Sequence, residues 1–302
     1  MKHLRIMGLA LVAVIAVAAI AAATASAASP EWGQCYAKTG GKYEDANCQT
    51  KAKGKTGKHE YEWRKASEVT RRKFTGEGGA SVLDAFIEFC KRGSQNINPY
   101  CEGQEGEDAI ETEVECTSEN AGGEVGAKGE IKNVEVRFRG CKLFGNSACQ
   151  NTAEEGEVVV NVLKGKLGYI DKATKEVGVV LNPAIKKGEF AKFTCAGTLT
   201  TIVGVGTSEK GLTPVYPGKN GGGDGIISPI TPVDQMSSTF TQVYTVNAED
   251  ENIPSHLEGK ANELLEAYVF RNTEPESRSA WSKAGEQVTN VNTGEEEVEI
   301  KA

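Results

Sequence analysis

The chain has 302 residues, with 42 Asp or Glu against 34 Lys or Arg and a formal charge of −8. That acid excess argues against a general nucleic-acid binder, which needs a basic surface. With 35 Gly but only three Met and three Trp, and many Thr and Val, the composition favours strands and turns over a helical bundle.

The first element predicted is a leader. Lys2 and Arg5 precede an apolar run from Ile6 to Ala23, and no acid occurs before Glu31. Ala25 and Ala27 then give the Ala-x-Ala spacing that a signal peptidase reads. The expectation is a signal peptide over 1–27, cleaved after Ala27, leaving no stable membrane span and placing the chain in a secreted or extracytoplasmic compartment. Because the leader carries two basic residues and no acid, its loss takes the formal charge from −8 to −10.

Residues 28–73 are predicted as a small module and link, rich in aromatic and basic residues. Trp32, Tyr36, Tyr61 and Trp63 are its candidate ligand-binding residues, because flat rings stack on the apolar faces of sugars. The run Lys51–Lys73 holds nine Lys or Arg against three Glu. Such a run suits an anionic envelope polymer. The plainer reading is that the rings form the core of the module and the lysines keep a loop solvated.

Residues 74–302 are predicted as an antiparallel β domain. Ser81–Lys91 (SVLDAFIEFCK) suits a helix face through Val82, Phe86 and Phe89 with Gly93 as its stop, or, on its β-branched and aromatic content, a strand. The expectation is the strand, running into a loop with Gly93 and Pro99. Between Glu102 and Glu124 there are nine acids and no base. Alternation there sets Val114 and Thr112 on one face and Glu113 and Glu111 on the other. A hairpin turning over NAGGEVG would oppose Val114 to Val136, Glu113 to Arg137 and Glu111 to Arg139. The acids then form a solvated strand face. A calcium loop would need converging oxygens, for which only EGQEGED at 102–108 offers the composition. Further strands are expected at Glu157–Leu163, Lys166–Ile170, Val177–Leu181, Phe190–Val205, Ser238–Val246, Leu264–Phe270 and Val288–Ile300. The last is broken by a turn at Asn292–Gly294, and Leu212–Pro232 reads as a long loop. Regularly spaced short strands predict a mainly β fold, an antiparallel barrel or sandwich with a small disulfide-closed N-terminal module.

All eight cysteines lie beyond the leader, and an even count in an exported chain implies a disulfide framework with 105 possible pairings. Proximity favours Cys35–Cys48, Cys90–Cys101 and Cys141–Cys149, which leaves Cys116–Cys195. Cys-x-x-Cys is absent and neither His59 nor His256 adjoins a cysteine, so no metal ligand set and no cofactor are predicted. Gly-x-Ser-x-Gly, a phosphate loop and a dinucleotide fingerprint are also missing. GVGTSEKG at 204–211 has the wrong spacing for a nucleophile, and the two histidines fall in polar stretches.

No catalytic residue is therefore assigned, and the enzyme question leans to no. The leading expectation is an exported, non-catalytic binding or structural protein of the envelope or extracellular space, with cell-wall glycan or an anionic envelope polymer as partner. The alternative is a secreted carboxylate-dependent hydrolase acting on a polysaccharide, whose paired acids would face each other across a cleft.

In order along the chain occur SPEWGQCYAKTGGKYEDANC, HEYEW, VECTSE, RFRGC, EGEVVVNVLKGKLGYID, FTCAG, PVDQMSSTFT and VEIKA. As a series these resemble a family of uncharacterised secreted proteins that recur in many copies in actinobacterial genomes. The resemblance implies a bacterial exported protein and transfers no catalytic residue. Relative to that pattern the Cys90–Cys101 segment looks like an insertion, which implies that those two pair with each other.

Overall fold

A computed structural model describes residues 29–54, 57–66, 72–91, 105–184, 188–205, 225–248, 251–261, 265–271, 274–279 and 282–302, with the backbone alone at 86–91, 105–111, 271, 274–279 and 282–283. The expected leader over 1–27, the Cys90–Cys101 bond, most of GVGTSEKG and the side chains of the EGQEGED segment lie outside the described residues.

Strands dominate. In chain order they are β1 Glu31–Ala37, β2 Tyr61–Lys65, β3 Lys73–Gly78, β4 Ser81–Lys91, β5 Glu105–Cys116, β6 Ser118–Val125, β7 Glu130–Arg139 and β8 Lys142–Leu143. There follow β9 Ser147–Gln150, β10 Val158–Val159, β11 Leu163–Asp171, β12 Glu176–Pro183, β13 Glu189–Cys195, β14 Leu199–Val205 and β15 Ile226–Thr231. The chain continues through β16 Met236–Val246, β17 Asn252–Ile253, β18 His256–Leu257, β19 Lys260–Ala261, β20 Leu265–Arg271, β21 Glu274–Ser279 and β22 Ser282–Lys301.

Eight of them close an antiparallel barrel in the order β3–β6–β7–β11–β12–β15–β16–β22 and back to β3. A second circuit of antiparallel pairings runs β4–β5–β8–β9–β13–β14–β20–β22 and back to β4. The barrel alternative is thus the one realised, and closure removes the open edges that would otherwise invite pairing with another chain. The chain passes between the circuits at short breaks, such as Gly79-Ala80 after β3 and Thr117 after β5. β22 belongs to both: residues 284–287 pair with β4, and 288–293 pair with β16.

One apolar core runs through both circuits, from Val134, Val179 and Phe240 to Val114, Phe193 and Leu265. Its origin is strand alternation. On β16 the buried positions are Phe240, Gln242 and Tyr244, with their neighbours more exposed, as a period of two requires. A smaller cluster of Val180, Ile227 and Leu257 covers part of the outer wall.

The N-terminal module is stitched to the barrel. β1 pairs with β2 and, through Glu31, Trp32 and Gly33, with the end of β22. Trp32 is buried and meets Phe240 edge-on, with ring centroids 5.3 Å apart. The expected Cys35–Cys48 bond closes the excursion between β1 and β2.

Four expectations need correction. The expected disulfides Cys116–Cys195 and Cys141–Cys149 are replaced by Cys116–Cys141 and Cys149–Cys195. Cys116 and Cys141 flank the open end of the β6–β7 hairpin, where Thr117 donates its N–H to the Arg139 carbonyl at 2.8 Å. Cys149 and Cys195 are direct register partners on β9 and β13. The acidic hairpin is also shifted. NAGGEVG is not a turn but most of β6, with Ala121 opposite Val136, and the reversal comes at Lys128 and Gly129, both with positive φ. The Asn292–Gly294 turn is absent because β22 continues through it as a strand, pairing Asn292 with Gly76 and Gly294 with Phe74, while its pairing with β16 breaks register just beyond, between Thr293 and Val298. Lastly, the end of the expected 212–232 loop is strand β15, whose Ile226, Ile227 and Ile230 are buried.

Candidate functional site

The sequence-predicted aromatics are divided by the β1–β2 register. Cys35 lies opposite Trp63, and Ala37 opposite Tyr61, so Tyr61 and Trp63 share one face while Trp32 and Tyr36 point the other way. Trp32 is in the core. Tyr36 lies under the Arg64 guanidinium, 3.4 Å from the ring centroid. Trp63 packs over Gly33, where a Cβ would fall 2.0 Å from its ring. The Lys301 ammonium lies 5.2 Å from the Trp63 ring and 5.4 Å from that of Tyr43. The four rings do not form one platform.

His59 uses both ring nitrogens, each 2.8 Å from a carbonyl oxygen, those of Gly41 and Gly54. Those two acceptors hold its pKa above the usual imidazole value. His256 lies beside Ser255 Oγ, on an exposed hairpin. Neither is near the other or near a cysteine disulfide in sequence. Among the described residues no group of three or more His, Cys, Asp or Glu is placed to hold a metal ion.

The most unusual chemistry lies inside the barrel and was not anticipated from the sequence. Glu119 on β6 and Asn290 and Asn292 on β22 are buried, as are Gln242 on β16 and Ser228 on β15. Asn290 Nδ2 donates to Glu119 Oε1 at 2.7 Å, Asn292 Nδ2 to Gln242 Oε1 at 2.8 Å, and Gln242 Nε2 to Ser228 Oγ at 2.9 Å. This polar belt lies along the wall because β3 places Gly76 and Gly78 between β6 and β22. A Cβ on Gly76 would come 2.5 Å from Asn292 Oδ1, and one on Gly78 would come 2.9 Å from Glu119 Oε2. The belt therefore needs both glycines.

A second carboxyl, Glu286 on β22, lines the same interior cavity as Glu119. Burial pushes Glu119 up to about 7. Burial, with the Glu119 charge adding to it, pushes Glu286 up to about 8. Two acids do come together, as a carboxylate hydrolase would require, but the space they share measures about 50 Å³. Adjoining interior cavities measure about 40 and 70 Å³. Such volumes suit single waters, whereas ligand pockets run to roughly 300–1,000 Å³.

The outer wall is different. A trough of about 1,120 Å³ runs over β3, β6, β7 and β22, with Thr75, Asn120, Asn133, Glu135 and Thr293 among its polar lining. Its floor at Gly122 is bare: a Cβ there would meet only the Phe74 carbonyl, at 3.6 Å. The charges are balanced, Lys73, Arg137 and Arg139 against Glu124, Glu135 and Glu295. Arg137 and Arg139 are further engaged by buried Glu157, at 2.7 and 3.5 Å. No family model matches the chain, and no curated protein is significantly similar to it.

Proposed function

We propose that this chain is an exported, non-catalytic binding or structural protein of the cell envelope or extracellular space, and that its outer trough takes a glycan. The observation that carries this reading is the contrast between the enclosed acids and the open trough. The acids share a water-sized space that no polysaccharide enters, while the trough offers amide, hydroxyl and carboxylate groups beside the apolar Phe74, Val159, Val160 and Val162, with Gly122 bare on its floor. Its balanced charge favours a neutral cell-wall glycan over an anionic envelope polymer, since a polyanion needs a net positive surface. Three disulfides support an extracytoplasmic setting, where such bonds persist.

The test is retention of purified protein lacking residues 1–27 on cell-wall glycan, with an anionic polymer column in parallel. Retention on glycan is expected, and Gly122→Trp, which fills the floor, should reduce it at least tenfold without changing the thermal midpoint. Lack of retention on glycan would overturn the reading, and retention on the polyanion alone would replace it with the electrostatic one.

A further inference from the structure

Glu119 and Asn290 belong to strands that are not neighbours. Gly78 of β3 lies between them, opposite Glu119 on one side and Asn290 on the other. Two strand spacings of about 4.8 Å separate the backbones. The side chains close this gap over Gly78, and Asn290 Nδ2 donates to Glu119 Oε1 at 2.7 Å.

The remaining atoms of the two groups are the informative ones. Glu119 Oε2 and Asn290 Oδ1 are both buried and both lack a hydrogen-bond partner. Two bare acceptors in an apolar interior would leave two desolvation penalties uncompensated. A proton on Glu119 Oε2 turns one of them into a donor. Acid and amide can then close as the two-bond ring that carboxylic acids and primary amides form with each other.

The surroundings favour that proton. Among the described residues, the cavity around Glu119 is lined by two other titratable groups, Glu286 of β22 and Tyr244 of β16, and by no Lys, Arg or His. β7, β11, β12, β13 and β15 contribute only apolar side chains to it. Arg72, Lys73 and Glu296 line the adjoining cavity at the Trp32 end. Among the described residues no basic group on the shared wall compensates a Glu119 or Glu286 anion, and the Tyr244 phenol is itself pushed up by burial.

We infer that the barrel interior is a proton-operated latch: protonated Glu119 joined to Asn290 by two bonds ties β6 to β22 across β3, and loss of the interior protons as pH rises removes the second of those bonds and leaves a carboxylate among apolar side chains, which loosens the tie. The shifts of Glu119 to about 7 and Glu286 to about 8 agree with this geometry. The proton is the ligand, and the strand tie is what it controls.

The test has two parts. Infrared absorption of the buried acid C=O stretch, followed in native protein from about pH 5 to about pH 10, should show protonated carboxyl at neutral pH that is lost with alkalinisation. It needs only the unaltered protein, so it decides the question even if a variant misfolds. Absence of such a band at about pH 6 would overturn the latch. Second, Glu119→Gln supplies a permanent donor to Asn290. Each linked proton changes the folded-to-unfolded ratio about tenfold per pH unit between the unfolded and folded pKa values. The variant should therefore lose stability about tenfold less per pH unit than wild type between about pH 5 and pH 7. An unchanged slope would also overturn it.

Discussion

The backbone N–H of Cys149 donates to the Cys141 carbonyl oxygen at 2.9 Å, yet the two sulfurs bond elsewhere, to Cys195 and to Cys116. Two disulfides are thereby linked by a main-chain hydrogen bond. Together they gather the end of β5, the β7–β8 junction, β9 and the end of β13 at one place. All three cysteines Cys141, Cys149 and Cys195 are fully buried, so this junction is part of the core.

Loop length ranks the disulfides. Cys149–Cys195 spans 46 residues and Cys35–Cys48 spans 13. Chain-entropy arithmetic gives roughly 4 kcal/mol for the longer loop and roughly 3 for the shorter. Denaturant unfolding of the paired Cys→Ser variants should return that order. A larger loss at Cys35–Cys48 would show that strain or residual structure outweighs loop closure.

Trp32 closes one end of the barrel. Trp32→Ala should cost about 3–5 kcal/mol by cavity formation, and Trp32→Phe clearly less, because a ring against Phe240 is kept. Thermal or denaturant unfolding measures both. Equal losses would mean that the edge-on ring contact contributes nothing.

Gly78→Ala introduces a methyl 2.9 Å from Glu119 Oε2 and Cβ and 3.1 Å from Val288 Cγ2. The expected cost is about 1–3 kcal/mol from overpacking. Gly79→Ala, where a Cβ meets nothing within 4 Å, is the matched control and should be near neutral.

His59 can satisfy both of its carbonyl contacts only as an imidazolium, since a neutral ring has one N–H. Its folded pKa is raised, so the contribution is fully present below the unfolded value of about 6.5 and is lost as pH rises through the folded one. An NMR titration of the His59 ring should show a midpoint above the ordinary imidazole value of about 6.5. A midpoint at or below that value would remove the double contact.

Much of the architecture is legible in the sequence because one wall of each strand is apolar. Val134, Val136 and Phe138 alternate with charged residues, and the β-branched and aromatic content of Ser81–Lys91 points to the strand that is found there. What misleads is chemistry that normally marks exposure. Asn290, Asn292, Gln242 and Glu119 look like surface residues, and Asn-Thr-Gly looks like a turn, but all four polar side chains are buried, with Asn290 donating to Glu119 and Asn292 to Gln242. The available signal is a shared parity: Gly76 and Gly78, like Asn290 and Asn292, are spaced by two, so each pair falls on one face of a strand. Proximity along the chain finds Cys35–Cys48 but not the other two bonds, because it cannot see that the β6–β7 hairpin folds Cys116 onto Cys141.

β22 pairs with β1, β3, β4, β16 and β20, so one strand completes both circuits. A chain that emerges N-terminus first, from a ribosome or through a membrane pore, has every other barrel strand available while both rings are still open. Closure waits for residues 282–301. The order of emergence thus sets the time of folding: any shorter length presents unpaired edges at β3, β4 and β16, and the finished fold appears only once the whole described chain has arrived.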